Sequence, residues 1–371
     1  MPIQTPFKPI HERLGANFAE FDGWSLPADF GDLPAENTGL YTSSAVFDLS
    51  SFARINLKGE GAKKLLDYLL ATNIHNLSND KWIWSMICDE NGNLASIVRV
   101  AQTNNAYHIF TPPSARNRVI DLINAAARIT NTESTQIDDI TEKTGMLALY
   151  GPKAVETLDA ILPFDITEIT PGAIKIMSFF MISVTIIRGS WLGTDGIELI
   201  CPQAACAMAA GALAKYRDRL NIAPAGMKTL KTAIMESSLP LELLKHPQCK
   251  KISPVALSMT KMIDMEKDFQ GKEAIAKELA EGTKTVLMGV KTPKIGKEHT
   301  NIRILCNDKE IGKAEIMLPS QNMNCDISLA MIDTQYADLA DEIQIVSDDI
   351  ISGGELIKLP FDNDLAAGIY A

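Results

Sequence analysis

Local cysteine pairs are missing from this chain. None of its six cysteines forms a Cys-x-x-Cys unit, and the tightest spacing is Cys201-Pro-Gln-Ala-Ala-Cys206. The histidines, at 11, 75, 108, 246 and 299, are equally scattered. Metal centres are usually assembled from such local pairs, so neither a structural nor a catalytic metal is expected. No apolar run is long enough to span a bilayer. The start, MPIQTPFKPIHERLG, has no basic segment followed by an apolar one, so no secretory signal is expected and the cytoplasm is the simplest location. Positive charge is in deficit, with 35 Lys and Arg against 46 Asp and Glu, a net of −11. That sign disfavours a nucleic-acid partner. There is no Gly-x-Gly-x-x-Gly after a strand, no Gly-Lys-Ser/Thr, no His-Glu-x-x-His and no Gly-x-Ser-x-Gly. Phosphate-loop nucleotide binding and metal-dependent hydrolysis lose their usual support.

What is present is ordinary globular composition, 46% hydrophobic and 22% charged, in 371 residues. That length implies more than one domain. Residues 1–50, broken by Pro6, Pro9, Pro27 and Pro34, read as a short helix and wrapping loops. ARINLK (53–58) alternates as a strand, and GEGAKKLLDYLLAT reads as a helix. WIWSMICD and LASIVRVAQ are strands around Asn91-Gly92, a strong hairpin signal. YHIF and the helix SARNRVIDLINAAARI complete a two-layer α+β unit close to a split βαβ pattern. The order recurs loosely in MLALYG, PKAVETLDAIL, IKIMSFFMISVTIIRGS, TDGIELICP and QAACAMAAGALAKYRDRL. From about residue 275, short strands separated by polar turns predict an antiparallel sheet or barrel.

Within SWLGTDGIEL (190–199), Gly193 and Gly196 predict a tight loop entering a strand. Alternation turns Glu198 away from Ile197 and Leu199. It is then either a solvated carboxylate or one pinned to receive paired N–H donors from a heterocycle. Trp82 and Trp84, two apart, share one strand face, as core or as a stacking surface. FDGWSLP (21–27) reads as a packed loop, and Asp48 with Ser50 as a turn closure. No histidine is assigned a chemical role.

Together FDGWSLP, VFDLS, DENGN, LALYGPKA, LGTDGIEL and KDFQGKEAI, in that order, resemble the T-protein of the glycine cleavage system, an aminomethyltransferase family. The resemblance extends from about residue 6 to LPF at 359–361. It implies an α+β fold: a three-domain, cloverleaf-like protein with two α+β (ferredoxin-like) units and a C-terminal antiparallel β-barrel. The implied domains are a folate-binding domain of residues 1–50 plus 138–274, an inserted domain of 51–137, and a barrel of 275–371. Tetrahydrofolate is the implied cofactor, with Glu198 at the position that binds the pterin. Trp84 approximates a folate-contacting tyrosine. Trp191 stands in an altered loop (Ser190, Trp191, Leu192, Gly193, Thr194) where the family has Gly-Tyr-Thr-Gly-Glu. Lys228 and Lys231 lie near the place of a family arginine and are candidates for the folate glutamyl carboxylate. Glu236 matches a family glutamate.

Departures from the pattern bear on activity. The family's Gly-Gly-x-x-Asp-Asp becomes Gly92-Asn93-Leu94-Ala95-Ser96-Ile97, so Ser96 and Ile97 replace the acidic pair that includes the catalytic aspartate. A family asparagine is also lost where IFTPPS stands, at Pro112 and Pro113. The expectation is a tetrahydrofolate-dependent one-carbon transferase with a small-molecule donor other than aminomethyl-lipoyl protein, a carrier protein remaining an open partner. The alternatives are a non-catalytic folate-binding protein and an interaction protein without folate. The Lys-Gly-Cys-Tyr-x-Gly-Gln-Glu motif of the iron–sulfur maintenance branch has no match in SLPLELLKHPQCKK, and Cys249 lies in the wrong setting.

Overall fold

The computed structural model describes the chain except residues 105, 163–164, 180–181, 246–250, 339–341, 348–349 and 363–371. His246 and Cys249 therefore lie outside the described residues. The chain divides into two compact units. The first comprises Met1–Leu66, Ile74–Trp84 and Val98–Leu230, and the second Asp67–Asn73, Ser85–Ile97 and Lys231–Ala371.

The first unit begins with more order than its prolines imply. Strands Ile3–Gln4, Trp24–Asp29 and Asn17–Phe21 form a small sheet in that spatial order. Pro27 is tolerated because Ile3–Gln4 pairs only as far as Ser25, and the register on the other side shifts nearby. Asp22 and Gly23, both at positive φ, make the turn between the two longer strands. Pro34 lies in the first turn of the helix Leu33–Thr42, where Asp32 accepts from the Ala35 amide. The expected short helix is present as Lys8–Arg13, and the loops expected over the rest of 1–50 are replaced by a sheet, a second helix and a strand.

That strand, Ser44–Asp48, joins the main sheet of the unit. Its order is Ile174–Phe179, Ile182–Arg188, Gly196–Pro202, Thr144–Tyr150, Ser44–Asp48, Ile222–Pro224. One face packs Leu147, Leu149, Ile186, Ile197 and Leu199 against the helices Ala154–Asp159 and Cys206–Leu220. Cys201 and Cys206 are free thiols 3.6 Å apart at this helix start. Fully buried Arg54 staples neighbouring segments by donating to the carbonyls of Phe52, Ser50 and Thr141 and to the Thr144 hydroxyl. Burial lowers its pKa to about 10, so it stays charged at neutral pH.

A second, five-stranded sheet runs Lys81–Cys88, Leu94–Thr103, Ala106–Thr111, Ala53–Lys58, Gln136–Asp139. Its first two strands are joined by the predicted Asn91-Gly92 hairpin, with Gly92 at φ 77°. Asp89 closes the turn by accepting from the amides of Asn91 and Asn93.

In the second unit six strands close a barrel, in the order Thr285–Thr292, Cys325–Asp333, Lys309–Ser320, His299–Cys306, Ile343–Val346, Ile351–Ile357. Its interior is apolar, with Val290, Ile304, Met317, Ala330, Ile332 and Ile345 at its centre. The KDFQGKEA segment docks the helix Lys272–Glu281 on the hairpin. Gln270 donates to the Cys88 carbonyl at 2.7 Å, and Lys267 donates to the carbonyls of Asp67 and Leu70. Gly271 has φ 86°, and a Cβ there would stand 2.4 Å from the Asp89 carbonyl oxygen. Gly271→Ala is expected to lower stability by roughly 1–3 kcal/mol through strain and displacement of the hairpin, read as a fall in the urea midpoint at unchanged slope.

Candidate functional site

Strand Gly196–Pro202 lies inside the six-stranded sheet, with Ile182–Arg188 on one side and Thr144–Tyr150 on the other. Ile197 and Leu199 enter the packed core, so Glu198 faces the opposite side, as alternation predicts. It is not solvated, having no exposure at all. Its pairing partner is Ala148, which brings Tyr150 onto the same face two residues along. The Tyr150 hydroxyl donates to Glu198 Oε1 at 2.5 Å. Gly196 makes this reach feasible, since a Cβ there would lie 2.5 Å from the tyrosine ring. Burial first, and then the Glu198 charge, pushes the Tyr150 pKa well above its ordinary value, so the phenol stays a donor.

The other carboxylate oxygen accepts from Arg99 Nη2 at 2.5 Å, and neither side chain of this ion pair is exposed. Arg99 comes from Leu94–Thr103 and is boxed by aromatic rings. Its Cζ lies 4.5 Å from the Trp191 centroid, 5.1 Å from Trp82, and 5.8 Å from Trp84 and Phe110. Such spacings place the cation in the field of the π faces. The rings also brace each other: Trp84 meets Trp191 edge-on at 5.2 Å and Trp82 at 5.8 Å, and Phe52 packs on Trp191 at 5.0 Å. Trp82 is seated by donating Nε1 to the Arg188 carbonyl, over Gly189, where a Cβ would collide with the indole at 2.2 Å. The loop carrying Trp191 is closed by Ser190, which donates to the Thr194 carbonyl and accepts from the Leu192 amide. Arg188 pairs with Asp195 across the same loop. Arg99 Nε and Nη1 and Trp191 Nε1 are buried without a hydrogen-bond partner.

Of the residues singled out in the sequence, Glu198, Trp84 and Trp191 come together in this box. Lys228 lies elsewhere in the first unit, donating to Asp29 at 2.7 Å and holding that carboxyl below its usual range. In the second unit Lys231 pairs with Glu298 at 3.4 Å and with Glu242 at 3.7 Å, so its charge is matched by carboxylates of its own chain. Ser96 is buried and donates to the Ile97 carbonyl at 2.9 Å, while Ile97 is wholly buried. Glu236 is buried in the second unit and accepts from the Ser320 hydroxyl at 2.6 Å. In the first unit Asp48 closes the turn to the Ser50 amide, as expected, and also accepts from Thr5 and contacts His11 Nε2 at 2.9 Å. Among the described residues no cluster of His, Cys, Asp and Glu is arranged to hold a metal ion.

Sequence reasoning missed Arg99 and Tyr150. A signal for Arg99 was present: one arginine inside the apolar run Ile97-Val98-Arg99-Val100-Ala101 requires a buried acidic partner. Nothing local marks Tyr150, whose role comes from cross-strand register.

Removing the Tyr150 hydroxyl strips a donor from a buried carboxylate. Tyr150→Phe is expected to cost roughly 1–3 kcal/mol in denaturant unfolding. Burial raises the Glu236 pKa from 4.5 to about 7. Folding thus favours its neutral form. Its contribution is complete below the unfolded pKa and is lost as pH rises through the folded one. Wild-type stability should therefore fall relative to Glu236→Gln by roughly 1–3 kcal/mol as pH increases across that interval, measured by urea titration at each pH.

Residues 7–267 match the family model described as the GCVT N-terminal domain. Curated relatives named aminomethyltransferase include that of Listeria welshimeri, 26% identical over 367 residues, covering 97% of this chain and 98% of the relative. That of Saccharopolyspora erythraea is 26% identical over 363 residues, covering 97% and 98%. The crystal structure of glycine cleavage system aminomethyltransferase T from Bartonella henselae superposes with a TM-score of 0.85, covering 99% of both chains at 18% identity. That likeness bears on the fold.

Proposed function

This chain belongs to the glycine cleavage T-protein (GCVT) family of aminomethyltransferases, and we propose that it is a tetrahydrofolate-dependent one-carbon transferase using a donor other than aminomethyl-lipoyl protein. The observation carrying this reading is Glu198, a wholly buried carboxylate among tryptophans that accepts from planar and phenolic donors. It is suited to the N–H edge of a pterin. Trp84 and Trp191 supply aromatic surface, and the oxygens of Glu198 supply the acceptors. Folate is the substrate that receives the one-carbon unit, and the chain's own residues bind and orient it while excluding water.

The lipoyl-dependent step is disfavoured by Ser96 and Ile97. A serine hydroxyl carries no charge near neutral pH, and this one donates to a backbone carbonyl. Acid–base assistance typically contributes about 10²–10⁴-fold. Lipoyl-carrier-dependent methylene transfer is therefore expected to run at least about 100-fold below that of the Listeria welshimeri aminomethyltransferase assayed alongside; comparable turnover would refute the alternative donor. A small-molecule donor and a cytoplasmic setting complete the reading, and the barrel of 275–371 is a domain separate from the folate-binding one. The Arg99–Glu198 ion pair favours one second reading, an interaction protein of this family that has lost folate binding.

Anaerobic calorimetric titration with tetrahydrofolate separates the two readings. The transferase reading expects micromolar binding (about −8 kcal/mol) that Glu198→Ala abolishes and Glu198→Gln weakens at least tenfold. No binding by the wild-type protein would sink it and leave the interaction protein without folate.

A further inference from the structure

Arg99 is a poorly satisfied partner for the carboxylate it meets. A guanidinium built into a structural ion pair usually engages a carboxylate through two parallel N–H bonds. Here only Nη2 reaches Glu198, because the second oxygen belongs to Tyr150. Nε and Nη1 are buried without acceptors, as is the nearby Trp191 Nε1. Leaving buried donors unpaired is costly, and the cation is held instead by the faces of Trp191, Trp82, Trp84 and Phe110. The box is thus a cage for a flat, nitrogen-rich cationic or donor edge, with an acceptor at its base and one spare donor, Trp191 Nε1, in its wall.

The guanidinium carbon bonded to nitrogens is the same skeleton found at the 2-amino-pyrimidinone edge of a pterin. That heterocycle also carries a ring carbonyl, the acceptor that Trp191 Nε1 lacks. We propose that Arg99 is a built-in occupant of the Glu198 cage, holding the place that a ligand's guanidine-like edge takes, and that it thereby sets how tightly the site admits a 2-amino-4-oxo heterocycle. The inference rests on the reading of Glu198 as the pterin-binding carboxylate. It adds that the chain competes with its own ligand.

The test compares the full-length wild type with Arg99→Ala and with Arg99→Gln, in which an amide still donates to Glu198 and folding is protected. Circular dichroism checks each fold, and calorimetry measures tetrahydrofolate and methylguanidinium, with methylammonium as a control lacking the planar fork. The expected result is at least tenfold tighter tetrahydrofolate binding by Arg99→Ala than by wild type, with Arg99→Gln, whose weaker neutral donor still meets Glu198, between the two. Methylguanidinium, but not methylammonium, should bind the variants, spare the wild type and compete with folate. Methylguanidinium binding without folate binding would keep Arg99 as the cage occupant and overturn the folate reading. Equal folate affinity in wild type and folded variants would overturn the Arg99 proposal while leaving the folate reading standing. Failure of folded variants to take up methylguanidinium would likewise overturn the proposal.

Discussion

A single buried negative charge, that of Glu198, constrains much of the first unit. A carboxylate with no solvent exposure is tolerated only with donors on its oxygens. Tyr150 and Arg99 provide them from two different sheets. Each donor imposes a further requirement. Tyr150 needs Gly196 opposite its ring, and Arg99 needs a wall of aromatic faces because its own remaining donors lack acceptors. Trp82 in turn needs Gly189 beneath it. The spacing of glycines in this loop follows from what packs over them.

Other buried polar groups in the chain are handled differently. Arg54 spreads its donors over several backbone carbonyls and so fastens the turns around 50 and 141. Glu36 accepts from the Gly226 amide and the Thr229 hydroxyl, fixing the start of the helix Met227–Glu236. These are satisfied networks, and they stabilise connections between segments distant in sequence. The Arg99 cluster stands apart because its donors outnumber its acceptors.

The likeness to aminomethyltransferases spans nearly the whole chain. Fold and family are carried by many dispersed residues, such as the Gln270 and Gly271 contacts that seat a helix on the 89–93 turn. Reaction type depends on far fewer. Ser96 and Ile97 are both buried within an intact strand, Leu94–Thr103.

By itself the sequence determined the hairpin at Asn91-Gly92, the alternating strands, an antiparallel sheet or barrel after residue 275 and the turning of Glu198 away from Ile197 and Leu199, because each follows from spacing along the chain; spacing does not decide whether Glu198 is buried. It also determined, through an ordered set of short segments, the family. It misread the segments around the short helix in residues 1–50, since proline content signals breaks but not the strand partners that tolerate them. Tertiary structure alone decided that Lys228 and Lys231 face carboxylates of their own chain, and that Glu198 meets Arg99 and Tyr150. Those pairings depend on which strands become neighbours and in what register. A one-residue shift in that register would turn each side chain to the opposite face.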